Sequence, residues 1–194
     1  MPVYQIVKEG NPVLREKAKP VKLVNDATIR LLDNLRDTLR ESARGVGLAA
    51  PQIGISKRVF VVDLPDRELY FEIINPELSE MEGSEDGWEG CLSVPGLEGL
   101  IPRAQRIRVD YLDREGQACC LIAEGYIARI FQHEYDHLEG ALIKDRAILL
   151  QDIEANAGDE AVGENEDAQA DAVVDADAET DAPANAGVDE DAQA

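Results

Sequence analysis

Apolar and polar positions alternate along this chain with two periods. Leu31, Leu32, Leu35 and Leu39 recur three and four apart with charged residues between them, predicting a helix that packs one face on a core. Asn25 or Asp26 stands where its cap belongs, and the helical spacing runs to about Arg44. Residues 11–15 before it read as a short capped segment. Period-two stretches follow. Residues 58–63 and 70–74 predict strands joined by a turn near Pro65-Asp66, with Asn75-Pro76 ending the second. Residues 78–81 suggest a further short strand, and 82–87 a polar loop. Ile107, Val109 and Tyr111 alternate with polar neighbours over 106–113, and Arg114-Glu115-Gly116 turns that strand into a partner at 117–123. The period then returns to helical. Ile127, Ile130, Phe131, Tyr135 and Leu138 form a stripe over 126–138, with Gly125 before it and Gly140 as its stop. A short apolar exit at 141–143 and a helical stretch at 145–151 complete the pattern. The expected class is α+β: antiparallel β-sheets packed around a C-terminal helix, with an N-terminal helix.

Composition changes this picture at one end. From about Asn156 the chain is dominated by Ala, Asp, Glu, Asn, Gly and Gln with no aromatic residue, too little apolar area to offset the cost of ordering. We therefore expect two parts, a folded domain at 1–150 and a disordered acidic tail at 151–194. The tail also accounts for most of the net charge of −21. Residues 151–194 hold 15 acidic side chains and no Lys or Arg, leaving 25 acidic against 19 basic residues before them, a net of −6. Neither part offers the basic face that binding nucleic acid requires. No apolar run approaches the ~20 residues of a membrane helix, and the N-terminus lacks a basic head with an apolar run behind it. Three cysteines do not suggest a disulfide framework. A cytoplasmic protein without membrane association is the expectation.

The chemistry concentrates in three stretches. Both histidines of the chain, His133 and His137, lie four apart on the predicted second helix, which stacks the imidazoles on one face. Such a pair can grip one metal ion, and Glu134 beside it can reach a water there. A third ligand must come from elsewhere. A third histidine three residues past Gly140 would mark a metzincin-type protease, but that position is Ile143. A downstream glutamate, as in gluzincin-type proteases, would have to come from the edge of the tail, a poor mount for a rigid site. Cys91, flanked by Gly90 in what reads as a glycine-marked loop, can supply a thiolate. Cys119 and Cys120 are adjacent on a strand, point to opposite faces and read as packing. Residues 45–54 contain Gly45-Val46-Gly47-Leu48-Ala49-Ala50, which follows a helix and is interrupted by Pro51, unlike a dinucleotide loop. A tight loop brought close to another group fits better, with the Gln52 amide either beside that group or on the surface.

Together these stretches resemble the peptide deformylase family. Its first motif stands as Gly45-Val46-Gly47-Leu48-Ala49-Ala50-Pro51-Gln52, its second as Glu89-Gly90-Cys91-Leu92-Ser93, and its third as His133-Glu134-Tyr135-Asp136-His137-Leu138. The resemblance covers about 1–150 and leaves the tail without a counterpart. It implies an enzyme that removes the N-formyl group from the initiator methionine of nascent peptides. It makes Cys91, His133 and His137 the ligands of one divalent metal ion, ferrous iron in the family, with zinc, nickel or cobalt able to take its place. It makes Glu134 the general acid/base, and Gln52 with the Leu92 backbone N–H the donors to the oxyanion. Val46, Gly47, Tyr126 and Ile130 become candidates for the methionine pocket. Transient association with the ribosome would follow from such substrates. Glu89 and Arg103 are a candidate pair holding the cysteine stretch, and Arg129 stands either at the pocket border or on the surface. A metallopeptidase of another type, or a metal-binding module without catalysis, remain the alternatives.

Overall fold

The computed structural model describes residues 3–42 and 45–153. Through them run helix α1 (Asp26–Glu41), strands β1 (Gly47–Ala49), β2 (Val59–Leu64), β3 (Leu69–Glu82), β4 (Glu85–Cys91), β5 (Val94–Arg103), β6 (Arg106–Leu112) and β7 (Ala118–Glu124), helix α2 (Gly125–Leu138), the single turn α3 (Ile143–Arg146), and strand β8 (Leu149–Asp152). The strands form two antiparallel sheets, one of five in the order β1-β2-β3-β6-β7 and one of three in the order β4-β5-β8. The α+β class with antiparallel sheets around a late helix is therefore what the described residues adopt. The acidic stretch from 154 onward, expected to be disordered, lies outside them.

The five-stranded sheet is covered on both faces, which explains why β2 is buried at every position and apolar except at Asp63, which pairs with Arg40. Phe60 and Val62 face α2 and meet Ile127 and Phe131, while Val59 and Val61 face α1 and meet its leucine stripe. Phe131 sits between Phe60 and Phe71 in edge-to-face contacts, with ring centroids 5.5 and 5.3 Å apart. Leu32 and Leu35 are fully buried, each contributing about 1.5–3 kcal/mol by transfer from water. Asn25 caps α1 by accepting from the amides of Ala27 and Thr28. The helix ends at Glu41, where Ser42 closes it onto the Leu39 carbonyl; Arg44, the expected end, is not among the described residues. A smaller core of Leu14, Val94, Ile101, Leu142 and Ile143 joins the three-stranded sheet to α3.

Several expected boundaries move. Asn75-Pro76 does not end a strand: β3 runs on to Glu82 and absorbs the short strand expected at 78–81. Asn75 takes a positive φ of 51°, and its side chain both accepts from and donates to the Val21 backbone at 2.8 Å. The register shifts between Ile74 and Glu77, so Pro76 lies in a bulge where its missing N–H costs no ladder bond. The polar loop expected at 82–87 shrinks because β4 already begins at Glu85. The expected tight loop at 45–54 is instead strand β1, paired with β2, followed by a 3-10 turn at Ala50–Ile53. The stretch 145–151 is not a helix. It splits into α3 and the edge strand β8, which pairs with β5 where Gly99 leaves space for Ala147 and Leu150. Helix α2 and the hairpin of β6 and β7 fall where the alternation placed them.

Candidate metal centre

Each motif reaches the centre on a different element. Helix α2 carries His133 and His137 on one face, with ring centroids 5.1 Å apart. Cys91 is the last residue of β4, not a loop residue, and the turn at Leu92 and Ser93 leads at once into β5. Its Sγ lies 3.3 Å from Nε2 of His137. Ligand atoms of Cys91, His133 and His137 all lie within 4.8 Å of one another. Bond lengths of 2.3 Å to sulfur and 2.0–2.1 Å to nitrogen put a thiolate and an imidazole nitrogen about 3.5 Å apart across a tetrahedral ion. This donor set fits a divalent transition metal and leaves one coordination position for water or substrate.

Hydrogen bonds behind the ligands orient them. Nδ1 of His133 meets Glu89 Oε2 at 2.9 Å, which directs Nε2 toward the centre. Arg103 holds Glu89 with two bonds of 2.9 Å and reaches Asp136 at 2.6 Å, and Arg146 binds the other oxygen of Asp136. Burial works against the Glu89 charge, but the bonds to His133 and Arg103 prevail and hold its pKa at about 2. Burial also pushes His137 well below its ordinary value, reinforced by the fields of His133 and Arg103. For His133 the bonds to Cys91 and Glu89 outweigh burial, and its pKa rises.

Glu134 points from the same helix toward β1. Burial lifts its pKa to about 7, and Oε2 has no hydrogen-bond partner among the described residues. Gly47 makes room for it: a Cβ there would overlap the Glu134 carboxylate. Gln52 is buried, so the surface reading fails. Its Oε1 accepts from the Ala49 amide at 2.8 Å, and Nε2 lies 3.4 Å from Ser93 Oγ and 3.9 Å from Cys91 Sγ. Glu134, Gln52, Cys91 and His133 border a cleft of about 510 Å³ lined also by Val46, Gly47, Leu92, Tyr126 and Ile130. Of the candidate metal, catalytic and substrate-binding residues, all line this one cleft except His137, which contacts Cys91.

Other contributors left little trace in the sequence. The segment before the first helix crosses behind two of the motifs: the Val7 amide donates to Gln52 O and the Glu9 amide to Ser93 O, each at 2.9 Å. Lys8 Nζ reaches Leu92 O at 2.6 Å. Two of these bonds use backbone donors, which no residue pattern announces. The link from Glu89 to His133 joins residues 44 apart in the chain; the sequence offered Glu89 only as a partner for Arg103, a pair that does form.

A buried thiol and two imidazoles on an α+β frame, with an unpartnered carboxylate at a cleft, define a site of the metallohydrolase class. The comparisons give the family. The sequence profile of polypeptide deformylase matches residues 3–152. The peptide deformylase of Halothermothrix orenii is 51% identical over 150 residues, covering 77% of this chain and 97% of that protein. That of Heliobacterium modesticaldum is 54% identical over 148 residues, covering 75% and 95%. The crystal structure of peptide deformylase from Thermotoga maritima superposes with a TM-score of 0.73 at 42% identity, over 77% of this chain and all of that one. The chain belongs to the polypeptide deformylase family. The resemblance drawn from the three motifs is borne out.

Proposed function

We propose that this chain removes the N-formyl group from the N-terminal methionine of newly synthesised peptides, using one divalent metal ion held by Cys91, His133 and His137. The observation that carries the reading is the convergence of those three donors beside an unpartnered, buried Glu134 at the wall of one cleft. When bound, the ion supplies Lewis acidity, drawing the pKa of a water toward ~7 and polarising the formyl oxygen. Iron or zinc would suit a thiolate and two imidazoles equally; we assign ferrous iron as the native metal on family resemblance.

The chain's own groups do the rest. Val46, Tyr126 and Ile130 hold the methionine side chain, and Gly47 lets the peptide and the Glu134 carboxylate come close together. Glu134 takes a proton from the attacking water. Its raised pKa suits a base that must later give that proton up. As the water oxygen bonds to the formyl carbon, charge gathers on the carbonyl oxygen. Gln52 Nε2 and the Leu92 N–H donate to it, one such donor being worth ~3–4 kcal/mol of barrier. Glu134 then protonates the departing amine, the carbon–nitrogen bond breaks, and formate leaves.

In this reading residues 1–150 carry the activity, the tail is dispensable for chemistry, and the enzyme works in the cytoplasm where nascent chains emerge from ribosomes. No helix among the described residues is long and apolar enough to cross a membrane. The test is Glu134→Gln, purified anaerobically with iron. It should keep its metal while formate release from a formyl-Met peptide falls by roughly 10²–10⁴-fold. Full activity in that variant would remove Glu134 from the mechanism.

A further inference from the structure

We propose that Arg129 is a positioning residue of the metal centre, acting on His133 through Glu89 while clamping the strand that ends in Cys91. The inference rests on the reading that Cys91, His133 and His137 hold a metal. Arg129 lies on α2, one turn before His133, and its largely buried guanidinium reaches across to the small sheet. Nη1 donates to Glu89 Oε1 and to the Ile101 carbonyl, both at 2.9 Å, and lies 3.4 Å from the Gly87 carbonyl. Nη2 donates to the Glu85 carbonyl at 2.7 Å. A single side chain therefore holds carbonyls on both β4 and β5 together with the carboxylate that orients His133.

The sheet is shaped for this group. Gly87 faces Ile101 across the ladder, and a Cβ at Gly87 would stand 2.7 Å from Arg129 Cζ. Only a glycine lets the planar guanidinium lie flat on the strand. A lysine could replace the charge but not the fork that engages three acceptors in different directions. Glu89 also has its own pair of bonds from Arg103, so losing Arg129 should loosen the carboxylate rather than free it. The consequence should fall on the His133 ring and, through β4, on the Cys91 sulfur. Partners one bond removed from a metal typically change its affinity 10–100-fold.

The experiment loads full-length wild type, Arg129→Met, Arg129→Lys and Gly87→Ala with cobalt(II). It follows the thiolate-to-metal absorption and the rate of metal release into excess chelator, with thermal melts as the check on folding. We expect release about 10-fold faster in Arg129→Met, a smaller increase in Arg129→Lys, and an altered thiolate band in both. Gly87→Ala should resemble Arg129→Lys by pushing the guanidinium off the strand, and combining it with Arg129→Met should add nothing further. Should Arg129→Met fail to fold, Arg129→Lys and Gly87→Ala carry the comparison. Folded variants that release cobalt at the wild-type rate, with any defect confined to KM, would overturn the assignment and leave Arg129 a cleft wall. A wild-type chain that retains no cobalt would overturn the metal reading and this inference with it.

Discussion

Gly47 is where the fewest atoms matter most. A hydrogen in place of a methyl group lets the Glu134 carboxylate sit between α2 and β1. Gly47→Ala must move either the strand or the carboxylate. Because β1 is paired with β2 on one side, the carboxylate should yield. We expect kcat to fall at least 100-fold in a formate-release assay while far-UV dichroism stays unchanged. A loss of less than threefold would show that Glu134 has room to spare. Residues such as His133, His137 and Cys91 were legible because chemistry demands rare side chains at fixed spacing. Gly47 was legible as a glycine needing close approach, but the group approaching it was not, since Glu134 lies 87 positions later in the chain.

Among the elements, long periodic stretches were read well and punctuation was read poorly. Helices α1 and α2 and the hairpin of β6 and β7 each bury one consistent face, so their period survives in the sequence. Asn75-Pro76 looked like a stop because both residues ordinarily are; bonds from Val21, distant in sequence, turned it into a bulge. The end of the domain misled for a similar reason. Asp145 accepts from the Leu142 amide at 2.7 Å and caps a single turn, after which pairing with β5 takes over. Burial tends to raise the Asp145 pKa, but the Leu142 amide and Arg15 outweigh it and hold it below the ordinary 3.8. A lowered carboxylate pKa stabilises the fold above 3.8 and loses that contribution as pH falls through the lowered value. Asp145→Ala should therefore cost about 1 kcal/mol at pH 7, in keeping with a lost cap. The difference in thermal midpoint from wild type should shrink as the pH drops toward 3. A gap that persisted undiminished in acid would rule out the ionised cap as its source.

For the whole molecule, the family match and the concentration of acidic charge meet at the same point. The family profile ends at residue 152, and the chain beyond it adds 14 acidic residues with no Lys or Arg. The Halothermothrix relative is matched over 97% of its length without that extension, which supports a self-sufficient catalytic part. Deleting 154–194 should leave kcat/KM on an uncharged formyl-Met peptide within about twofold and the melting midpoint unchanged. A large drop in either would tie the tail to the fold.

Strand β5, whose start follows Cys91 by three residues, gains its second neighbour only when 149–152 arrive, and both imidazoles come from 133 and 137. A chain still being made thus carries its thiol for 42 residues before the first imidazole is added and for 46 before the second. If these three side chains hold the proposed ion, loading cannot precede the synthesis of His137. An oxidant or a competing soft ion present at birth has an early opportunity that the finished molecule would deny it.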